Sequence, residues 1–196
     1  MKYWVLKLNS GDDGVFLSSL PENGPKDYEY SKGKSLVARH PEAQESAMYY
    51  DPDRAEAIVL KDFVENLSDV IVCNHNVRSV LDGLEIKNVE YLPVWLMDHK
   101  NAVSSKDYMI ANVLGSLDVI DMENSDYEMG VIIEDQIDDI DELVVDYDSM
   151  PEDARIFRAS KKLDLVFIRD DVKQAFEKAG LQGYLAHEAD GWDGLD

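Results

Sequence analysis

Carboxylates are the side chains with which this chain could do chemistry, and they are concentrated. Between Asp107 and Ala154 stand sixteen aspartates and glutamates and no lysine, arginine or histidine. Clustered carboxylates suit three tasks: holding a hard cation, sharing a proton in acid–base catalysis, or attracting a cationic partner. An EF-hand calcium loop needs alternating oxygen ligands, a central glycine and a glutamate at its end. Neither Asp135-Gln136-Ile137-Asp138-Asp139-Ile140-Asp141-Glu142 nor Asp146-Tyr147-Asp148 has that glycine, and Asp190-Gly191-Trp192-Asp193-Gly194-Leu195-Asp196 has glycines but too few spaced ligands. The acids are too many for one acid–base couple to stand out. Association remains. The stretch is also rich in Ile, Val, Leu and Tyr, so it is expected to fold with a strongly negative solvent side, which speeds encounter with cations and repels nucleic acid and anionic lipid.

Other reactive groups give little. His40, His75, His99 and His187 are scattered, with no pair at the spacing of a zinc site. Cys73 precedes His75 by two residues, but it ends the apolar run Val70-Ile71-Val72 and is expected in the core, not as a nucleophile. No glycine-rich phosphate loop, nucleophile elbow or dinucleotide fingerprint occurs. No catalytic, cofactor-binding or metal-binding residue is assigned. Arg158, a rare cation in the acidic half, is expected to pair with Asp121 or Asp164. Asp121 and Ser125 read as turn or capping residues.

The elements that must position these groups can be read from periodicity. Tyr3 to Leu8 alternates as a strand, and Asn9 to Lys34 is mostly loop. Ala57-Ile58-Val59-Leu60 and Val70-Ile71-Val72-Cys73 are strand-like runs, the second followed by Asn74, His75 and Asn76 as candidate helix caps. Val77, Val80, Leu81 and Leu84 then recur at helical spacing, and Val89 to Met97 is extended, with Pro93 predicting an edge or bulged strand. The second half repeats the plan: a strand from Leu163 to Ile168, Asp170 and Asp171 as cap, a helix on Val172, Ala175, Phe176 and Ala179, a stop at Gly180, then Gly183 and a strand from Tyr184 to His187. Between them Tyr108 to Val113 and Met129 to Ile133 read as strands, and Ile140, Leu143 and Val144 as a short helix or strand. The expected class is α+β: one domain with a mixed or mainly antiparallel sheet and a few short helices packed against it.

With 196 residues and 45% apolar content the chain can build a real core without staples, and its single cysteine excludes an intrachain disulfide. The apolar start, Met1 to Leu8, is too short for a signal peptide, and no segment approaches a membrane span, which predicts a cytoplasmic protein. The net charge of −22 is uneven: residues 1–98 carry 10 basic and 17 acidic side chains, residues 99–196 carry 9 and 24.

Tyr91-Leu92-Pro93-Val94, Asp98, Tyr108 through Asn112, Val119-Ile120-Asp121 with Ser125, Ile156-Phe157-Arg158 and the closing strand, helix and Gly183 together resemble the immunity proteins of bacterial polymorphic toxin systems, specifically immunity family eleven. The resemblance covers residues 57–188. It divides the single domain of residues 1–196 into an N-terminal strand with an irregular, loop-rich segment (1–56), an immunity-type core (57–188) and a tail (189–196). It implies a non-enzymatic protein, encoded beside a toxin, that binds and neutralises that toxin in the producing cell, and it carries no catalytic residues.

The charge reading points the same way independently, because toxins acting on nucleic acid or phosphate-bearing substrates are cationic where they act. Asp135, Asp138, Asp139, Asp141, Glu142, Asp146 and Asp148 are the expected partner-binding acids, with Tyr127 and Tyr147 as aromatic anchors. The expected partner is a protein toxin with a basic active surface, not nucleic acid and not a membrane. A small cytosolic enzyme and an acidic general interaction domain are the competing readings. Tyr28, Tyr30, Tyr49 and Tyr50 are left between two roles, interface residues or cover for a core edge.

Overall fold

The computed structural model describes residues 1–131, 133 and 135–195. In chain order the elements are β1 (Tyr3–Leu8), β2 (Phe16–Leu17), α1 (Asp27–Tyr30), β3 (Ala47–Tyr49), β4 (Phe63–Asn66), β5 (Val72–Asn74), α2 (His75–Gly83), β6 (Val89–Met97), β7 (Val103–Val113) and β8 (Ser116–Leu117). They continue with β9 (Asp126–Met129), β10 (Ile137–Glu142), β11 (Ile156–Ala159), β12 (Lys162–Arg169), α3 (Asp170–Ala179) and β13 (Tyr184–Glu188). The strands form a five-stranded sheet in the order β13-β1-β12-β11-β8, a six-stranded sheet in the order β2-β4-β5-β7-β6-β3, and the hairpin β9-β10. The class is α+β, with mixed sheets and short helices, as the sequence predicts. No helix among the described residues is long and apolar enough to cross a membrane.

The repeated strand–helix–strand plan has a topological counterpart. β5 and β6 both pair antiparallel with β7 and therefore run parallel to each other; β12 and β13 do the same across β1. Each helix thus connects two parallel strands that are separated by one antiparallel strand, a split β-α-β unit. The inserted strand comes from the chain's start in one unit and follows directly in the other. α2 and α3 pack together between the two sheets. They bury Val77, Leu81, Val172 and Phe176 in one core with Leu6, Val166 and Ile168 of one sheet and Cys73, Met109 and Ala111 of the other. Each such side chain contributes about 1.5–3 kcal/mol on burial.

Local chemistry explains the helix limits. Asn74 caps α2, its Oδ1 accepting from the amides of Asn76 (3.0 Å) and Val77 (3.4 Å). Gly180 ends α3 in the left-handed region at φ 67°. The expected cap at Asp170 and Asp171 is not found there: Arg169 occupies the cap position without a side-chain cap bond, and both acids lie in the first turn. Their carboxylates are drawn elsewhere, Asp170 to the Trp4 indole (3.0 Å) and Asp171 to Arg169 (2.7 and 2.8 Å).

Two strand expectations need correction, and a third, at Pro93, is met by the second of its alternatives. Ala57 to Leu60 contributes only an isolated bridge, Val59 to Gly14. Pro93 lies inside the six-stranded sheet, not on its edge, although β6 is bulged as expected. The Trp95 amide donates toward β3, to Ser46 (2.8 Å), and Pro93, two residues earlier, faces the same side before β3 begins. Its missing N–H therefore costs no ladder bond, and its carbonyl accepts from His40 (2.9 Å). Met129 to Ile133 is not a strand: β9 ends at Met129 and the chain turns there, with position 132 of that run outside the described residues.

Each sheet has a second face, and an outer layer covers it. Val15, Tyr30, Leu36 and Tyr50 from the N-terminal segment close over the six-stranded sheet, together with Leu17 and Met48 of its own edge strands β2 and β3. Tyr30 and Tyr50 are thus core cover, whereas Tyr28 is exposed. Over the five-stranded sheet, Val119, Ile120, Ile137, Ile140, Leu143 and Val145 of the acidic segment pack on Tyr3, Val5, Phe157 and Phe167.

Candidate docking face

The acidic layer gets its charge density from a break in strand regularity. An unbroken strand alternates sides every residue, so Ile137 and Ile140 would face opposite ways. In β10 the register shifts between Ile137 and Asp139 and again between Ile140 and Glu142. Those bulges let Ile137, Ile140 and then Leu143 all point inward, each followed by two exposed acids or preceded by them: Asp138 with Asp139, Asp141 with Glu142. Two exposed carboxylates thus stand between each buried apolar side chain and the next.

Pairing across the hairpin sets like charges opposite one another. Asp139 faces Glu128 and Glu142 faces Asp126, an arrangement that destabilises a strand pair. Among the described residues, none of these four, nor Asp138 or Asp141, forms a salt bridge. Lys162 donates to the Asp138 backbone carbonyl (3.0 Å) and pairs with Asp164 (3.3 Å). Asp135 is exposed and holds a left-handed φ of 70° in the turn.

The remaining expected residues divide by role. Asp146 and Asp121 each organise a turn. Asp146 accepts from the amides of Asp148 (3.1 Å) and Ser149 (3.2 Å) and from the Ser149 hydroxyl (2.5 Å), which lowers its pKa. Asp121 accepts from Asn124 Nδ2 (2.6 Å) and from the amides of Glu123 and Asn124, which lowers its pKa likewise and confirms it as a turn residue. Ser125 braces the layer, its hydroxyl accepting from the Val144 amide (2.9 Å). Asp148 is exposed beside Tyr147, whose ring is 39% exposed and lies 6.4 Å from that of Tyr3. Tyr127 is half-buried against the inner apolar residues, its hydroxyl 3.4 Å from the Met122 carbonyl.

Two features of this face were not foreseen. The last residues strap the layer down: the Gly191 amide donates to the Leu143 carbonyl (2.7 Å), the Leu143 amide to that of Trp192 (2.8 Å), and the Trp192 indole is buried. Gly194, at φ 78°, crosses the Ile140 carbonyl so closely that a Cβ would stand 2.2 Å from it. Trp192 between glycines was the available signal. The second feature is the tip of the hairpin, where Met129, Val131 and Ile133 are exposed at 42%, 92% and 61%.

Elsewhere the chemistry is quiet. Cys73 is fully buried, which pushes its thiol up to about 12, and His75 is exposed. Arg158 does not pair with Asp121, nor does it bond to Asp164. Its guanidinium is buried and donates to three carbonyls, Val113 (3.0 Å), Leu163 (2.8 Å) and Tyr30 (3.0 Å). Burial lowers its pKa to about 10, with the Asp164 charge opposing. A cleft of about 740 Å³ opens between Leu84, Ile86, Leu117 and Phe157. Its two arginines, Arg155 and Arg169, are both committed to Asp171. Among the described residues no three His, Cys, Asp or Glu side chains converge as metal ligands.

Two split β-α-β units thus stand with the outer faces of their sheets covered, and one of the two covers is strongly acidic in sequence. The chain belongs to the immunity protein family (Imm11), whose sequence model matches residues 11–189. No curated protein matches it.

Proposed function

We propose that this immunity protein is a non-enzymatic antitoxin that protects the cytoplasm by binding a cognate toxin of the polymorphic class and occluding a basic surface on it. The observation that carries the reading is the pair of like-charge couples, Asp139 with Glu128 and Glu142 with Asp126, held opposite one another with no salt bridge to either among the described residues. Such an arrangement lowers the stability of the free protein and is relieved by a cationic partner. Family membership supports the immunity role. Asp135, Asp138, Asp139, Asp141, Glu142 and Asp148 form the docking face in this reading, with Asp146 shaping the turn that presents Asp148 and Tyr147. Tyr127 contributes by fixing the strand beneath. The same charge disfavours nucleic acid and anionic membranes as ligands.

The test is association kinetics with the inactivated toxin domain from the neighbouring reading frame, at low and high salt. Reversing Asp138, Asp139, Asp141 and Glu142 to lysine is expected to slow association by about tenfold or more, and raised salt to slow the parent similarly, since screening acts beyond roughly 8 Å at physiological ionic strength. An association rate indifferent to both rejects this face.

A further inference from the structure

We infer that the hairpin tip, Met129, Val131 and Ile133, is an apolar anchor that enters an apolar pocket within the cationic surface of the protein partner. This rests on the docking reading above and adds the chemistry of the partner's contact point. Isolated exposed aliphatic side chains are ordinary, and Val37 and Leu67 are of that kind. Three within five residues, on a turn between strands whose outward side chains are mostly carboxylates, are not.

The backbone flanking the tip is built to hold it out. The Gly130 amide donates to the Gln136 carbonyl (2.7 Å) and the Gln136 amide to that of Ile133 (3.3 Å). Gln136 Nε2 donates to the Ser160 carbonyl (2.9 Å) and the Ile137 amide to that of Lys161 (2.7 Å), so the base of the turn is pinned to the β11–β12 connection. Gly130 has no room for a side chain, because a Cβ would meet Asp138 Oδ1 at 2.9 Å and two carbonyls at 3.0 Å. Aliphatic side chains held clear of the core, with carboxylates beside them, reproduce the apolar centre and charged rim of a protein interface. A second copy of this chain is a poor occupant, because it would bring a net charge of −22 against the same acids. A cationic surface with a pocket fits both parts.

The two parts should separate kinetically, since rim charges govern association and buried apolar contacts govern dissociation. The experiment compares Val131→Ser with Ile133→Ser in one variant, and Asp138→Lys with Asp139→Lys in another, against the same inactivated toxin domain. The serine variant is expected to associate within about twofold of the parent and dissociate at least about tenfold faster. Its melting temperature should match the parent's, because both side chains are exposed. Unchanged dissociation overturns the anchor. Faster dissociation in the serine variant with no effect of charge reversal keeps the anchor and removes the acidic face. A parent that does not bind the domain at any salt overturns the docking reading and the anchor together.

Discussion

The two outer layers solve one problem, covering the spare face of a sheet with little regular structure, by opposite use of charge. The N-terminal layer pairs its charges. Arg39 holds Glu29 by two bonds of 2.6 Å and draws its carboxyl down to about 2, and Lys61 reaches Asp13 (3.0 Å). Arg54 and Lys32 lie over the rings of Phe16 and Tyr28 at 3.9 and 4.3 Å. Glu90, which burial would raise, is instead lowered by the Leu36 amide, the Ser35 hydroxyl and the Asn112 amide, tying that layer to β6. The acidic layer does the reverse: its inward side is apolar and braced by backbone bonds, and among the described residues its hairpin carboxylates form no salt bridge. Charge is paired in the first layer, whereas among the described residues the hairpin acids of the second form no salt bridge.

That contrast can be broken first at the joint of the N-terminal layer. Arg158→Ala orphans carbonyls of Tyr30, Val113 and Leu163 and leaves a cavity, and should cost about 4 kcal/mol in urea unfolding. Local hydrogen exchange should rise in residues 27–36 and not in the acidic hairpin. Trp192→Ala is the converse, expected to cost about 3 kcal/mol and to expose the Leu143 amide while the N-terminal layer keeps its protection. The smallest effect is the most telling. Glu128→Lys turns a like-charge couple with Asp139 into an attractive one and should raise stability by about 0.5 kcal/mol while slowing association with the toxin. A destabilised variant would mean that the couple is already neutralised within the free protein.

Local chemistry was legible in the sequence. The Asn74 cap, the Gly180 stop, the core position of Cys73 and both strand–helix–strand units follow from residues close in the chain. Contacts set by tertiary register were not. The bulges of β10 give an apolar period of three, which matches neither a plain strand nor a helix and left Ile140 to Val144 undecided. Arg158 looked like half of an ion pair because the acids around it were countable, whereas two of the three carbonyls that satisfy it, Tyr30 and Val113, belong to distant segments. Asp170 and Asp171 looked like caps because Trp4 and Arg155, from other segments, could not be placed beside them. The candidate face was legible as composition, and its tip was misread because the run from Met129 to Ile133 has the β-branched content of a strand, whereas β9 ends at Met129 and the chain bends at Val131 and Ile133.

The placement of β1 also orders events on the ribosome. All six strands of one sheet lie before residue 114, so that sheet can assemble while synthesis continues. The other must wait, because β1 pairs with β12 and β13, made more than 150 residues later, and Trp192 then fastens the hairpin. The anionic surface therefore matures after the six-stranded sheet, because the sheet beneath it closes only once residues 162–188 have been made.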